Sequence, residues 1–302
     1  MRFVEALKRV ALKHDLYARF NSLPRPRMTG FALHPGLGCR GSRRAFCSFG
    51  LGTSFGFRIS AFGFVLAAAL PVLAGPETNA VFHQRAKAAF EQAQAQYQTN
   101  TSDPASAWQF GRACYDLADM ATHDTERAAI AKQGIAACHA LLARESNSAP
   151  GHYYLGMDYG QLAKAEAPSP AALRLVRQME HEFKAAAALD GTFDFAGPAR
   201  CLGLLYRDAP GWPFSIGSRR RARDWLEQAA RLAPDYPENR LNLIESYLRW
   251  RDRAPARQEL RVLEALWPKA QTNFTGERWE QSWVDWTARK KAAEQALGWV
   301  AQ

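Results

Sequence analysis

The chain of 302 residues is poor in the groupings from which active sites are built. No segment of β-branched alternation appears, so there is no strand on which a GxSxG, P-loop or GxGxxG spacing could present a nucleophile or cradle a phosphate. His83, His123, His139, His152 and His181 stand apart from one another, and none has a second His or a Cys at metal-ligand spacing. Glu180, His181 and Glu182 read as the solvated face of a helix. The five cysteines include no CxxC or CxxH pair. Cys39 and Cys47 fall early, and Cys114, Cys138 and Cys201 are expected as small core residues. An exported protein permits one disulfide among these three, and spacing does not choose the pair. Hydrolase, transferase and metal-dependent chemistry thus lack positive support, and no cofactor is expected.

An excess of one charge is also missing where a nucleic-acid binder would need it. The formal charge of +10 is carried by the start of the chain: residues 1–75 hold 11 Lys/Arg and 2 Asp/Glu, whereas residues 76–302 hold 28 and 27. A nearly neutral body offers no basic face for phosphates, so no nucleic-acid partner is expected.

Within the first 75 residues, the run Ile59–Ala74 (ISAFGFVLAAALPVLA) follows Arg58, is broken by Pro71 and ends in small residues. It is short for a membrane span and has the layout of a secretory signal peptide, with an uncleaved N-terminal anchor as the alternative. No Cys follows it to accept a lipid. Residues 1–57 form a basic leader that is long for a signal n-region. SRRAFCS (Ser42–Ser48) matches the twin-arginine export spacing, and an overextended start, with Met28 as one alternative, fits equally. The expected organisation is therefore a leader over 1–57, an apolar segment over 58–75, a helical repeat domain over 76–270 and a C-terminal capping helix over 271–302. The expected location is periplasmic.

From Asn79 to Trp299 helix formers dominate, punctuated by Asp103-Pro104, Ala149-Pro150, Pro168-Ser169-Pro170, Gly197-Pro198, Pro210-Gly211, Pro234-Asp235 and Ala254-Pro255. Proline at the first helical position loses no hydrogen bond, so each pair marks a helix start. Apolar–small pairs recur at Phe110-Gly111, Leu155-Gly156, Leu202-Gly203 and Leu243-Ile244, each followed by an aromatic: Tyr115, Tyr159, Tyr206 and Tyr247. Ala222, Leu226, Ala229 and Pro234 keep the spacing A-x3-F-x2-A-x4-P, and Ala256, Leu260, Leu263 and Pro268 repeat it. Small residues let paired helices approach, while large ones fill the seam to the next pair, so units stack. The pattern resembles the tetratricopeptide (TPR) family, which implies an all-α solenoid of about four antiparallel helix pairs. An irregular array of α-hairpins is the alternative.

The order YYLGMDYGQLA, HEFKAAAALD, GPARCLGLLYRDAPGWP and APDYPEN resembles, more narrowly, the T component of TRAP transporters (the TatT-like family). That resemblance implies a periplasmic, TPR-like protein docking a solute-binding protein, and a trimer with a small-ligand channel. A general scaffold for envelope proteins and a helical-toroid enzyme are the competing readings.

A TPR stack binds on the concave face lined by its first helices. Counting from the aligned pairs places Trp108, Arg112, Tyr153, Met157, Arg200, Arg207, Glu245 and Arg249 there. Guanidinium forks among aromatics suit a peptide segment or a carboxylate tail. The insertion Pro210–Trp225 (PGWPFSIGSRRRARDW) adds Trp212, read as a plug seating the loop on the neighbouring unit, and Arg219, Arg220 and Arg221. Ser218 is the expected N-cap, and arginines in a first helical turn oppose the helix dipole. They therefore call for partners: Asp208, Asp224 or Glu227, an anionic ligand, or another protein. Trp279, Trp283 and Trp286 form one helical stripe expected to cap the last pair, with a partner-binding or membrane-surface helix as the alternative.

Overall fold

Proline, an acceptor side chain just before the helix, or both mark the starts of five helices. Asp103 accepts from the amides of Ala105 and Ser106, Ser148 from Gly151, Ser169 from Ala172 and Ser218 from Arg221. Pro104, Pro150, Pro170 and Pro237 occupy first-turn positions where no donor is needed. The computed structural model describes residues 76–299. The basic leader with its twin-arginine spacing and alternative start, the apolar run Ile59–Ala74, Cys39 and Cys47 lie outside the described residues.

Among the described residues ten helices follow one another: α1 (Pro76–Thr99), α2 (Pro104–Met120), α3 (Asp124–Leu142), α4 (Ala149–Ala165), α5 (Pro170–Leu189), α6 (Phe193–Asp208), α7 (Arg219–Leu232), α8 (Pro237–Arg249), α9 (Arg253–Asn273) and α10 (Glu277–Leu297). Among the described residues there is no strand, and no helix is long and apolar enough to cross a membrane. Helices α2/α3, α4/α5, α6/α7 and α8/α9 are the four expected pairs, with α1 packed in front. Close approach within a pair rests on the glycines of the repeat. A side-chain carbon added at Gly156 would lie 2.6 Å from the Phe183 ring, and one at Gly203 would lie 2.5 Å from Leu226. Pro268, expected to close a repeat, lies inside α9, which runs on to Asn273.

The first helices of the pairs are buried far more completely than a grooved solenoid would have them. Along α4 every side chain from Gly151 to Lys164 except His152 is buried. Helix α10 lies against α8 and α9, with Trp286 fully buried among Tyr236, Phe274 and Trp283. The Arg289 guanidinium donates to Glu245 and Asn242 of α8. At its start α10 meets the first helix, where Arg85 pairs with Glu277 (2.8 Å) and Glu280 (2.6 Å). The expected open concave face is thus largely covered by α10 and by the first helices pressing on one another.

Cys114, Cys138 and Cys201 are buried free thiols, and between the first two helix pairs sits a buried acid. Asp158 of α4 occupies the room left by Gly134 and Gly111, and both its carboxylate oxygens are without a hydrogen-bond partner. Burial, reinforced by the nearby Asp116 charge, pushes its carboxyl well above the usual range. The folded state therefore keeps a proton that the unfolded chain releases near pH ~4. The stability this group contributes is full below that pH and falls as pH rises towards the folded pKa, by up to about 1.4 kcal/mol per unit. Asp158→Asn, which cannot titrate, is expected to lack this decline. Urea midpoints measured at pH 5 and pH 7 check it, and equal changes in both proteins would count against it.

Candidate functional site

In the first turn of α6 the chain makes a kink that L-amino acids avoid. Asp194, Phe195 and Ala196 have φ of 49°, 55° and 62°, and none is glycine. Left-handed backbone costs roughly 1–2 kcal/mol per residue, so three in succession require support from outside the segment. Arg200 supplies most of it. Its guanidinium, 2% exposed, donates to the Phe195 carbonyl (3.0 Å), the Asp194 carbonyl (3.2 Å) and the Asp194 carboxylate (3.0 Å). It also lies 5.2 Å from the Tyr236 ring and 4.0 Å from Glu238. Asn239 donates to the same Phe195 carbonyl (3.1 Å), and the Tyr153 hydroxyl donates to Asp194 (2.7 Å).

The turn sends two phenylalanines in different directions. Phe193 meets Trp108 edge-on (6.3 Å) and Tyr154 (6.1 Å), and those two rings stack on each other at 5.8 Å. Arg112 stands exposed on the same stretch of α2, weakly paired with Asp116 at 3.6 Å. Phe195 stacks on Tyr236 (4.5 Å) and meets Phe274 and Trp279 edge-on. These four rings line an open pocket of about 660 Å³ together with Asp235 and Arg278. Asp235 is held by Lys269 at 2.6 Å. Arg278 lies 4.8 Å from the Trp279 ring and has no carboxylate partner among the described residues. Aromatic walls with a stacked, unpaired guanidinium at the rim suit an apolar or aromatic group that carries a carboxylate. Among the described residues no cluster of three His, Cys, Asp or Glu side chains is placed to hold a metal ion.

The residues singled out in the sequence divide sharply. Trp108 and Arg112 lie on the surface described above. Tyr153, Met157 and Arg200 are buried: Tyr153 and Arg200 brace the turn, and Met157 packs on Cys201. Arg207 is buried in a fork on Asp208 (3.0 and 2.7 Å), and Arg249 pairs with the same carboxylate. Trp212 does not plug anything, being 90% exposed at the tip of the α6–α7 loop, because Ile216 packs on the core in its place. Arg219 and Arg223 converge on Asp252, from the turn after α8, and not on Asp208, Asp224 or Glu227. Arg221 lies over Tyr206 near Glu180 (3.9 Å), and Arg220 is exposed with no ion pair among the described residues. Phe193, Phe195, Tyr236, Phe274 and Arg278 were not anticipated. The one local signal was the Phe-x-Phe pair directly ahead of Gly197-Pro198.

Stacked helix pairs, glycines at the close approaches and a terminal helix over the last pair define an all-α, TPR-like solenoid. No protein-family model and no curated protein matches the sequence. Among solved structures the chain is similar to a thermophilic TPR protein from Thermus thermophilus, with 21% identity over 70% of this chain and 92% of that one, at a TM-score of 0.50. It also matches yeast Tom70 with 13% identity over 72% of this chain and 60% of that one, at a TM-score of 0.26. The first similarity establishes the architecture, and the second adds nothing to it.

Proposed function

We propose that the chain is an exported, non-enzymatic binding protein that recognises a partner protein through the aromatic pocket at the α6 turn. The observation carrying this reading is Arg278, unpaired and stacked on Trp279 at the rim of a pocket walled by four rings. Backbone strain concentrated beside that pocket points the same way, since strained turns persist where function holds them. TPR-like architecture supports protein binding in general, and the signal-peptide layout of residues 58–75 supports export.

The particular form we favour is a periplasmic T component docking the solute-binding protein of a TRAP-type transporter. The segments that resemble that family bear on the pocket: Ala233, Pro234, Asp235 and Tyr236 of the APDYPEN turn line it. The test is a pull-down from the periplasmic fraction with the wild type and Arg278→Ala. Recovery of a TRAP solute-binding protein, weakened about tenfold or more by the substitution, is the expected result. Recovery of unrelated envelope proteins would transfer the reading to a general scaffold, and a mature chain beginning at Met1 or Met28 would remove the export step.

A further inference from the structure

The loop between α6 and α7, residues 209–218, is stiff and ends in an apolar tip. The amide of Gly217 donates to the Pro210 carbonyl (2.8 Å), that of Ser218 to Tyr206 (2.9 Å), and those of Phe214 and Ser215 both to Gly211. A side-chain carbon at Gly217 would fall 2.1 Å from the Ala209 carbonyl oxygen, so only glycine closes the base. Ile216 packs inward, which leaves Trp212 and Phe214 outward at 90% and 75% exposure. No other large apolar side chain among the described residues exceeds 44%.

Around this tip the positive charge of the body is gathered. Residues 207–224 and 249–253 meet through shared partners: Asp208 takes Arg207 and Arg249, while Asp252 takes Arg219 and Arg223, which also lie over Trp250. These two segments contain eight arginines and three aspartates, a net charge of +5. The rest of residues 76–302 holds 20 basic and 24 acidic residues, a net of −4. Arg220 and Arg253 are exposed and make no ion pair among the described residues.

We propose that this arginine-rimmed Trp-Pro-Phe tip docks the protein on an anionic lipid bilayer, with Trp212 and Phe214 entering the interface and the arginines contacting headgroup phosphates. Two arguments select this occupant. A symmetric second copy would set one +5 patch against another, which electrostatics disfavours. Two rings on a protruding tip need a soft phase to enter, and aromatic side chains with flanking cations are suited to the headgroup region. This inference is independent of the pocket reading above.

The test uses the full chain with vesicles of phosphatidylcholine, with and without phosphatidylglycerol, containing brominated acyl chains that quench tryptophan. All nine tryptophans lie at position 108 or later, so the apolar leader contributes none to the signal. Quenching is expected only with anionic vesicles, and it should fall at least threefold in Trp212→Phe. Arg220→Gln with Arg253→Gln should weaken the quenched association about twenty-five-fold at a fixed anionic fraction, since each arginine near an anionic surface contributes about a factor of five. Arg278→Ala should leave it unchanged. Equal quenching of the wild type and Trp212→Phe overturns the proposal, as does quenching independent of phosphatidylglycerol. Self-association, or capture of an acidic protein, that is lost in Trp212→Phe without any lipid quenching also overturns it.

Discussion

Arg200→Met is expected to destabilise the protein by about 3–5 kcal/mol, the usual cost of removing one partner from a buried ionic cluster. Methionine has nearly the length of the arginine stem, so it limits the cavity and leaves mainly the lost charge. Three hydrogen bonds to the left-handed turn disappear together, two of them accepted by backbone carbonyls, of which that of Phe195 keeps Asn239 as a donor. Asp194 keeps the Tyr153 hydroxyl, and Glu238, 4% exposed, loses the guanidinium 4.0 Å away. The strain in Asp194, Phe195 and Ala196 then goes without compensation. Urea unfolding followed by circular dichroism measures the effect, and a loss below about 1 kcal/mol would show that the turn is held by something else. The variant should also disturb the pocket, since Phe195 forms one of its walls.

That expectation could not have been written from the sequence, although the helices could. Prolines at first-turn positions and Asp or Ser caps are local chemistry, and local chemistry is legible: Asp103, Ser148, Ser169 and Ser218 cap the helices that follow them. The pairing of helices was legible for a similar reason, because a glycine facing a large side chain, as at Gly156 and Phe183, repeats at a readable interval. The site was not. Asp194–Ala196 looks like an ordinary loop before Gly197-Pro198, and its left-handed backbone exists only because Arg200, Asn239 and Tyr153 reach it from three helices.

The arginines show the same limit from the other side. Asp252, which takes Arg219 and Arg223, lies 33 and 29 residues away in sequence, whereas the carboxylates that seemed available lay much nearer along the chain. Sequence distance was a poor guide because the stack brings the end of α8 beside the start of α7. Trp212 misled for a simpler reason. A tryptophan beside proline and glycine suggests a packed plug, yet the loop closes through its own backbone hydrogen bonds and through Ile216, leaving the ring no cavity to fill. Counting positions on a regular TPR groove failed for Tyr153, Met157 and Arg200 because the first helices press together and α10 covers α8.

The other large effect concerns that covering. Trp286→Ala is expected to cost about 3–5 kcal/mol, the range for truncating a fully buried aromatic side chain. Its ring packs against Tyr236 at 5.4 Å, Phe274 at 5.8 Å, Trp283 at 5.1 Å and Trp279 at 5.8 Å. No small residue in that cluster can rotate to fill the space. Beyond Trp286, α10 is held by buried Ala293 and Leu297, by Trp283 against Trp267 at 5.3 Å, and by polar ties, chiefly the part-buried Arg289 to Glu245 and the exposed pairs of Arg85 with Glu277 and Glu280, the last worth a few tenths to about 1 kcal/mol each. Loss of the aromatic anchor should therefore loosen α10 before the helix pairs unfold. Limited proteolysis should cut between Phe274 and Glu277 in the variant under conditions that leave the wild type intact, and melting should begin at lower temperature. Because Phe274 and Trp279 belong both to this cluster and to the pocket, loosening α10 should abolish partner binding as well. Unchanged binding with α10 released would place the binding surface elsewhere, on the Trp108 and Arg112 face of α2.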